Sequence, residues 1–186
     1  MGRPSRERTG TLPQRGWTPR ESAPYNGRVK SSGRILAIDL GSKNIGLAVT
    51  DALGLGAQGL PTLRRTNRRA DLKRLRELVE AIEVERIVVG HPLHLKGYAG
   101  ARAQQAARFA DWLRRELRLP VELFDERLTS WEAEQRLRAA GSRRFGTRAQ
   151  RKDAVDRLAA TLILESYLEH QTARAAREKN PAPAES

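Results

Sequence analysis

Apolar residues recur along this chain with two spacings, and these spacings predict its strands and helices. Continuous apolar runs bounded by turn residues are typical of strands buried on both faces. Such runs predict strands at about 34–39, 44–51, 86–90 and 121–124, and 58–63 is a plausible short third strand. Between them, apolar residues recur every three or four positions, which is typical of helices packed on one side. These stretches lie at about 72–82, 103–117 and 152–170, and a capping box at 129–132 predicts a further helix that extends to about 140.

The order of the elements predicts how the strands pair. Gly41, Lys43 and Asn44 stand between the first two runs and suit a hairpin bend. Strands and helices alternate after the third strand, and right-handed crossovers would place strands four and five beside strand one. The predicted fold class is α/β, a mixed five-stranded sheet of three antiparallel and then two parallel strands, with helices on both faces. Strands one, four and five would then end at a common edge, where such sheets bind ligands.

Composition predicts one domain with an extension at each end. The chain has 186 residues, enough for one well-packed core. Residues 1–32 contain seven basic against two acidic residues and many Gly, Pro and Ser, which predicts a disordered basic extension. Residues 173–186 contain a Pro-Ala-Pro-Ala stretch close to their end and predict a disordered tail. The domain is therefore expected at 33–172, and it keeps a basic surplus of its own.

The formal net charge of +13 indicates the kind of partner. A surplus of this size attracts polyanions by long-range steering and counterion release, so nucleic acid is the expected partner. A generally Arg-rich proteome is the alternative explanation. No apolar run is long enough to predict a membrane span, and none near the amino terminus predicts a secretory signal. The chain has no cysteine, which excludes disulfides and Cys-ligated metals and agrees with a cytoplasmic location.

Acidic residues stand where the predicted elements meet the common edge. Asp39 ends strand one, and Asp125 with Glu126 ends strand five. Asp156 continues the apolar face of the last helix, so its carboxylate should point at the sheet. Its only charge partner within the helix is Lys152, four residues earlier and in the less favourable orientation. A turn-capping role for Asp39 and a buried ion pair for Asp156 are the structural alternatives.

Converging carboxylates of this kind suggest a metal site, because they would repel one another without a counterion. Mg²⁺ and Mn²⁺ prefer oxygen ligands. Two such ions about 4 Å apart are a recurrent solution to phosphodiester hydrolysis. The expected cofactor is therefore Mg²⁺ or Mn²⁺, as two ions, with Asp39, Glu126 and Asp156 as ligands. Asp153 is a further candidate ligand, although Arg157 offers it an ordinary surface pair.

Basic residues around the same edge are candidate contacts to nucleic acid: Lys43, Arg127, Arg143, Arg144, Arg148 and Lys152. Three of these arginines belong to a glycine-containing loop predicted at 141–151, which suits either a phosphate-gripping loop or a solvated run of charge. His91 and His94 follow strand four. They could bind a transition metal, but lining a substrate groove or simple exposure is the favoured interpretation.

Four blocks of residues resemble the YqgF (RuvX) family in order and spacing: 37–51, 89–93 with Gly97 and Gly100, 125–134, and 155–164. The resemblance spans roughly 34–170. It implies a ribonuclease H-like fold, related to that of the Holliday junction resolvase RuvC, and a divalent-metal nuclease linked to maturation of the 5′ end of precursor 16S rRNA. Motif matching implies that Asp39, Glu126 and Asp156 are the catalytic acids. His91, His94 and Asp153 depart from the family pattern.

The sequence leaves several functions open. Processing of the 5′ end of precursor 16S rRNA is the favoured one, and a Holliday junction resolvase-like DNA nuclease or a non-catalytic RNA-binding ribosome assembly factor are the alternatives. The Asp-x-Gly-Ser turn also resembles the phosphate loop of the actin and sugar-kinase fold, but that fold needs two lobes. RNA is the preferred partner and DNA the alternative, with pre-ribosomal particles as a candidate partner. A monomer or weak homodimer is expected.

Overall fold

A mixed five-stranded sheet forms the centre of the protein in this computed structural model, which describes residues 33–51, 53–93, 99–128, 135, 136, 139 and 147–179. The strands are β1 (Arg34–Leu40), β2 (Asn44–Thr50), β3 (Ala57–Arg64), β4 (Val84–His91) and β5 (Val121–Asp125). Helices of the described part are α1 (Arg68–Ala81), α2 (Ala101–Leu117) and α3 (Arg148–Lys179), and a 3-10 turn follows β5 at Glu126–Leu128.

The strand order is β3-β2-β1-β4-β5, as predicted. β1 pairs antiparallel with β2 and β2 pairs antiparallel with β3, whereas β4 is parallel to β1 and to β5. In register, Ile38 lies beside Val89, and His91 lies beside Asp125. The carboxyl ends of β1, β4 and β5 therefore share one edge, and the predicted mixed α/β sheet is confirmed.

Helices cover both faces of the sheet. One face buries mainly large side chains against α1 and α2, among them Leu36, Ile38, Ile45, Ile87, Leu75 and Leu113. The other face packs against α3, and its cluster contains Ala37, Ala48, Val88, Phe124, Ala160, Ile163, Leu164 and Tyr167. Because successive residues of a strand point to opposite faces, the continuous apolar runs that predicted these strands supply both layers.

The first and last helices differ from their predicted bounds, and capping explains two of the differences. α1 begins at Arg68 because the side chain of Asn67 accepts a hydrogen bond from Ala70 N at 3.0 Å. α3 begins at Arg148 rather than at 152, so the predicted loop is wrong for 148–151. Thr147 Oγ1 accepts from Gln150 N at 3.2 Å, and Gln150 Oε1 accepts from Thr147 N at 2.8 Å. This reciprocal capping box starts the helix four residues early.

α3 also runs past its predicted end at 170, as far as Lys179, so the tail predicted from 173 is wrong for 173–179. Within this exposed stretch Arg174 Nε lies 2.9 Å from Glu178 Oε1, an i,i+4 pair that supports the added turns. The predicted extension 1–32, most of the predicted helix 129–140, the loop residues 141–146 and the last residues 180–186 lie outside the described part. Across the described ranges, no helix has the length and apolar character needed to span a membrane.

Candidate active site

Asp39, Glu126 and Asp156 reach the shared edge from three different elements. Asp39 is the next-to-last residue of β1, opposite Gly46 of β2 in register. A Cβ atom at Gly46 would lie 2.2 Å from the backbone oxygen of Asp156 and 3.3 Å from Asp39 Cβ. Only a glycine therefore lets α3 approach the strands here, and this close approach brings Asp156 next to Asp39.

Glu126 reaches the edge from the β4 and β5 side of β1, whereas Gly46 lies on the β2 side. Glu126 begins the 3-10 turn after β5, and its carboxylate lies over the backbone of β4. A Cβ atom at Gly90 would lie 2.4 Å from Glu126 Oε1 and 2.7 Å from Ile163 Cδ1. Gly90 follows Val89, the partner of Ile38 in the parallel ladder. The Glu126 carboxylate is consequently held beside the end of β1, where Asp39 lies.

The electrostatics show that the Asp39 carboxylate interacts with each of the other two acids. Burial raises the pKa of Asp39 to about 6, and the neighbouring Asp156 carboxylate adds to the shift. Burial also raises the pKa of Glu126 to about 7, with the Asp39 carboxylate as the next cause. The Arg102 guanidinium opposes both shifts. Asp39 thus interacts with both other acids and lies at the centre of the group.

Asp156 points at the sheet, as its place on the apolar face predicts. Asn44 Nδ2, at the start of β2, donates a hydrogen bond to Asp156 Oδ2 at 2.7 Å. Lys152 Nζ lies 3.0 and 3.1 Å from the two carboxylate oxygens. The lysine therefore pairs closely with Asp156 despite the less favourable helical orientation, because the side chain of Asp156 is only 16% exposed and its charge needs a partner.

Two acids close to the site in sequence, Asp125 and Asp153, pair with arginines. Asp125 forms an ion pair with Arg127 at 2.6 Å, and the hydrogen bond from Arg127 lowers the pKa of Asp125. Asp153 pairs with Arg157 at 2.8 Å, the surface pair that the sequence offers. The structure therefore brings Glu126 rather than Asp125 towards Asp39, and it places the carboxylate of Asp153 on Arg157.

The donors at this edge fit a hard cation in kind. In the described residues, no three acidic or histidine side chains form a group that could hold a metal ion as they stand. The three acids nevertheless present only oxygen atoms, the ligands that Mg²⁺ and Mn²⁺ prefer. Burial and mutual repulsion raise the pKa of two of them, and a bound cation would offset both effects. The chemistry of the donors thus fits a divalent metal.

The described candidates for nucleic-acid contact are exposed. Lys43 lies in the turn between β1 and β2, and Arg127, Arg148 and Lys152 lie beside the same edge or at the start of α3. His91 ends β4 opposite Asp125 and is partly buried. The other predicted residues, Arg143, Arg144 and His94, lie outside the described part of the chain.

Two arginines of the site were missed by sequence reasoning. Arg102 lies in the first turn of α2, and its charge acts on Asp39 and Glu126. Its position directly after the loop that leaves β4 is a signal that could have indicated it. Arg65 has no such signal. Its Nη1 donates to the backbone oxygen of Gly41 at 2.9 Å, which braces the turn that follows Asp39.

The family model and the relatives found by sequence agree on one family of proteins. The model of the RuvX family, described as Holliday junction resolvase, matches residues 33–170. A Koribacter versatilis protein named "Putative pre-16S rRNA nuclease" is 49% identical over 139 residues, which cover 75% of this chain and 88% of that protein. A Heliobacterium modesticaldum protein of the same name is 43% identical over 152 residues, covering 82% and 99%. Among solved structures, T. thermophilus RuvC in complex with Holliday junction substrate is 17% identical, covers 75% of this chain and 96% of that chain, and gives a TM-score of 0.47.

Proposed function

The chain belongs to the RuvX family and is a hydrolase of the nuclease class, and we propose that it cleaves phosphodiester bonds with Asp39, Glu126 and Asp156 as its catalytic acids. The observation that carries this proposal is the electrostatic coupling of Asp39 to both other acids. These residues come from a strand, a turn and a helix that are far apart in sequence. Among the described residues Asp39 and Glu126 form no ion pair, whereas Asp125 and Asp153 each pair with a neighbouring arginine. Asp156 pairs with Lys152, which lies beside the same edge.

The acids would hold divalent metal, proposed as two ions of Mg²⁺ or Mn²⁺. When bound, such ions activate a water molecule and stabilise the leaving oxygen. The chain's own residues prepare the site for them. Asn44 and Lys152 hold Asp156 in place, and Gly46 and Gly90 leave room for the backbone and carboxylate to approach. Arg102 favours the ionised forms of Asp39 and Glu126, in which both can donate to a metal.

The proposed substrate is the 5′ end of precursor 16S rRNA. Relatives at 49% and 43% identity are named for pre-16S rRNA and match over most of their length. The net charge of +13 suits a polyanionic partner, and Lys43, Arg127, Arg148 and Lys152 would contact phosphates. Action in the cytoplasm on pre-ribosomal particles, as a monomer or weak homodimer, belongs to the same proposal. Holliday junction DNA is the second candidate, favoured by the description of the matching family.

The test is to replace each acid by its amide, as Asp39→Asn, Glu126→Gln and Asp156→Asn. Cleavage should fall by at least about 100-fold for each, because each loses a charged metal ligand. Binding in EDTA should stay close to that of the wild type, since the amides add no bulk. Precursor rRNA ends, single strands and a four-way junction are assayed in parallel to identify the substrate.

Asp125→Asn is the matched control, because it removes a neighbouring carboxylate that pairs with Arg127 instead of Asp39. It should cleave within a few-fold of the wild-type rate. Retention of more than a few per cent of the activity by Asp39→Asn would refute the catalytic assignment. A wild-type protein that binds precursor rRNA tightly but cleaves nothing with Mg²⁺ or Mn²⁺ would support the assembly-factor alternative.

A further inference from the structure

A basic groove lies between α1 and α2, on the face of the sheet opposite to α3. Two neighbouring cavities of about 270 and 460 Å³ form it, and both are lined by Arg68 and Trp112. The name "arginine groove" is used here for these cavities and the five arginines that line them: Arg65, Arg68, Arg69, Arg108 and Arg115. Two acidic residues, Asp71 and Glu116, also line the cavities, so the groove keeps a clear basic surplus.

Within the part of the chain that the structure describes, most of this positive charge has no acidic partner. Asp71 is 3% exposed and is used within the fold, since its oxygens lie 3.7 Å from Arg65 Nε and 3.1 Å from Thr66 N. Arg68, Arg69, Arg108 and Arg115 form no ion pair with any acid among the described residues. Concentrated cations without partners cost free energy by mutual repulsion, and a bound polyanion would offset that cost.

Aromatic packing positions the central arginine. The guanidinium of Arg68 lies 4.6 Å from the centroid of the Trp112 ring, and Phe109 packs at 5.4 Å between ring centroids. Both rings are largely buried. A stacked guanidinium loses less conformational freedom when its N–H groups bind phosphate oxygens, and arginine is the residue best suited to that contact. The rings therefore make the groove a prepared anion site.

The groove is continuous with the acid edge. Leu40, directly after Asp39, lines the smaller cavity together with Arg65, which donates to Gly41 O at 2.9 Å. On α2, positions 105, 108, 112 and 115 lie within one stripe of the helix by spacing. This stripe is about 15 Å long, and Arg102, whose charge acts on Asp39 and Glu126, lies one turn before it. A basic path thus leads away from the acids along α2.

We propose that the arginine groove binds the phosphodiester backbone of the nucleic-acid substrate beyond the cleavage site; this inference rests on the proposed function. A stripe of about 15 Å would span about four base pairs along the axis of a duplex. The groove carries many arginines with few acids to complement them, so a second copy of the same surface would be repelled. A polyanion is therefore the occupant that fits.

The test compares two double variants of the full chain, Arg68→Gln/Arg108→Gln and the control Arg174→Gln/Arg177→Gln, which removes the same charge from the end of α3. Binding to labelled single-stranded RNA, duplex RNA and a DNA four-way junction is measured in EDTA from 50 to 200 mM salt. The groove variant should lose about 1.5 to 2 units of the salt slope of log affinity, and about tenfold or more in affinity near 100 mM. The control should lose much less, and the three ligands show which nucleic acid uses the groove.

An unchanged salt slope in the groove variant, with wild-type binding intact, would overturn the groove and leave the catalytic proposal standing. An equal loss in the control would overturn it too, because the effect would follow net charge alone. Unchanged affinity with an altered sedimentation coefficient would assign the surface to a second copy. A wild-type protein that binds none of the ligands would overturn both proposals. Should the first variant melt much lower than wild type, Arg69→Gln/Arg108→Gln repeats the test with the Arg68–Trp112 stack intact.

Discussion

The two faces of the sheet use side chains of different size. The face under α3 carries Ala37 and Ala48, and at Gly46 the backbone of the helix comes as close to the strand as a glycine allows. The opposite face carries Leu36, Ile38 and other large residues, whose side chains separate the backbone of the strands from α1 and α2. The acids lie at the edge of the first face, and the arginine groove lies on the second.

This difference shows how each face places its charges. On the α3 side, Asp156 is positioned by contact between backbone and backbone, so a single added methyl group would move it. On the α1 and α2 side, the arginines lie on helices that pack on the sheet through large apolar side chains. Small shifts of these helices should change the position of the arginines only slightly. Catalysis needs groups placed to within fractions of an ångström, whereas binding of a flexible polyanion does not. Changes on the two faces should therefore have different consequences.

The largest effect is expected from truncating the core on each face in turn. Leu75→Ala and Leu164→Ala remove fully buried leucines, one in α1 and one in α3. Each should lower the free energy of unfolding by about 2–5 kcal/mol, measured by urea titration. Only Leu164→Ala should also lower the cleavage rate per folded molecule, because, of these two helices, only α3 carries a proposed catalytic acid, Asp156. Equal rates in the two variants would refute the division between the faces.

The next effect is expected at the close approach itself. In Gly46→Ala the new Cβ would meet the backbone oxygen of Asp156 at 2.2 Å, so α3 must move. A misplacement of about 1 Å can cost about 100-fold in rate, and we expect a loss of that size. Gly33→Ala is the control, since its Cβ would meet only the side chain of Glu85, which is exposed and can rotate away. A Gly46→Ala protein with the wild-type rate would show that the close approach is not needed for catalysis.

A smaller effect is expected from pH in metal-free protein. The pKa values of Asp39 and Glu126 are raised to about 6 and about 7, so the folded state holds protons more tightly than the unfolded state. Stability should therefore be greatest below the unfolded pKa values and fall as pH rises through 6 and 7. Part of each shift comes from the same repulsion between Asp39 and Glu126, so the two effects do not add fully. We expect the free energy of unfolding to fall by about 2 kcal/mol in total between pH 5 and pH 8.

Melting curves in EDTA at several pH values measure this loss. Asp39→Asn should flatten the dependence, since it removes one raised group and relieves the other. Addition of Mn²⁺ at pH 8 should restore stability, because a ligand that binds only the folded state raises its melting temperature. A constant difference in melting temperature between wild type and Asp39→Asn at every pH would contradict the assignment of the pH effect to this site.

The smallest effect is expected one turn from Asp156 on the same helix. Asp153→Asn breaks only the pair with Arg157, in which both side chains are at least 40% exposed. Such pairs contribute at most about 1 kcal/mol, so cleavage should stay within about threefold of wild type. A loss as large as that of Asp156→Asn would instead make Asp153 a metal ligand.

The sequence by itself determined the sheet and most of the acid site. Its apolar runs predicted the central strands β1, β2 and β4, because a strand buried on both faces needs apolar residues at every position. The spacing of Ala160 and Ile163 predicted the direction of Asp156, because a helix repeats every 3.6 residues. The family blocks indicated Asp39, Glu126 and Asp156 together. The start of α3 was also encoded locally, in Thr147 and Gln150, although the basic loop pattern concealed it.

Only the tertiary structure decided which charged groups meet. The strand pattern places Asp125 and Glu126 alike at the end of β5, and only the family resemblance singled out Glu126. The turn after β5 directs Asp125 to Arg127 and Glu126 over Gly90. Arg102 reaches the acids, and Arg65 reaches Gly41, across contacts between residues far apart in the chain. The arginine groove likewise joins residues of α1 and α2 that share no pattern. The spacing of residues along one helix or strand determines the face on which each side chain lies. The residue that it contacts on another element depends on how the two elements pack.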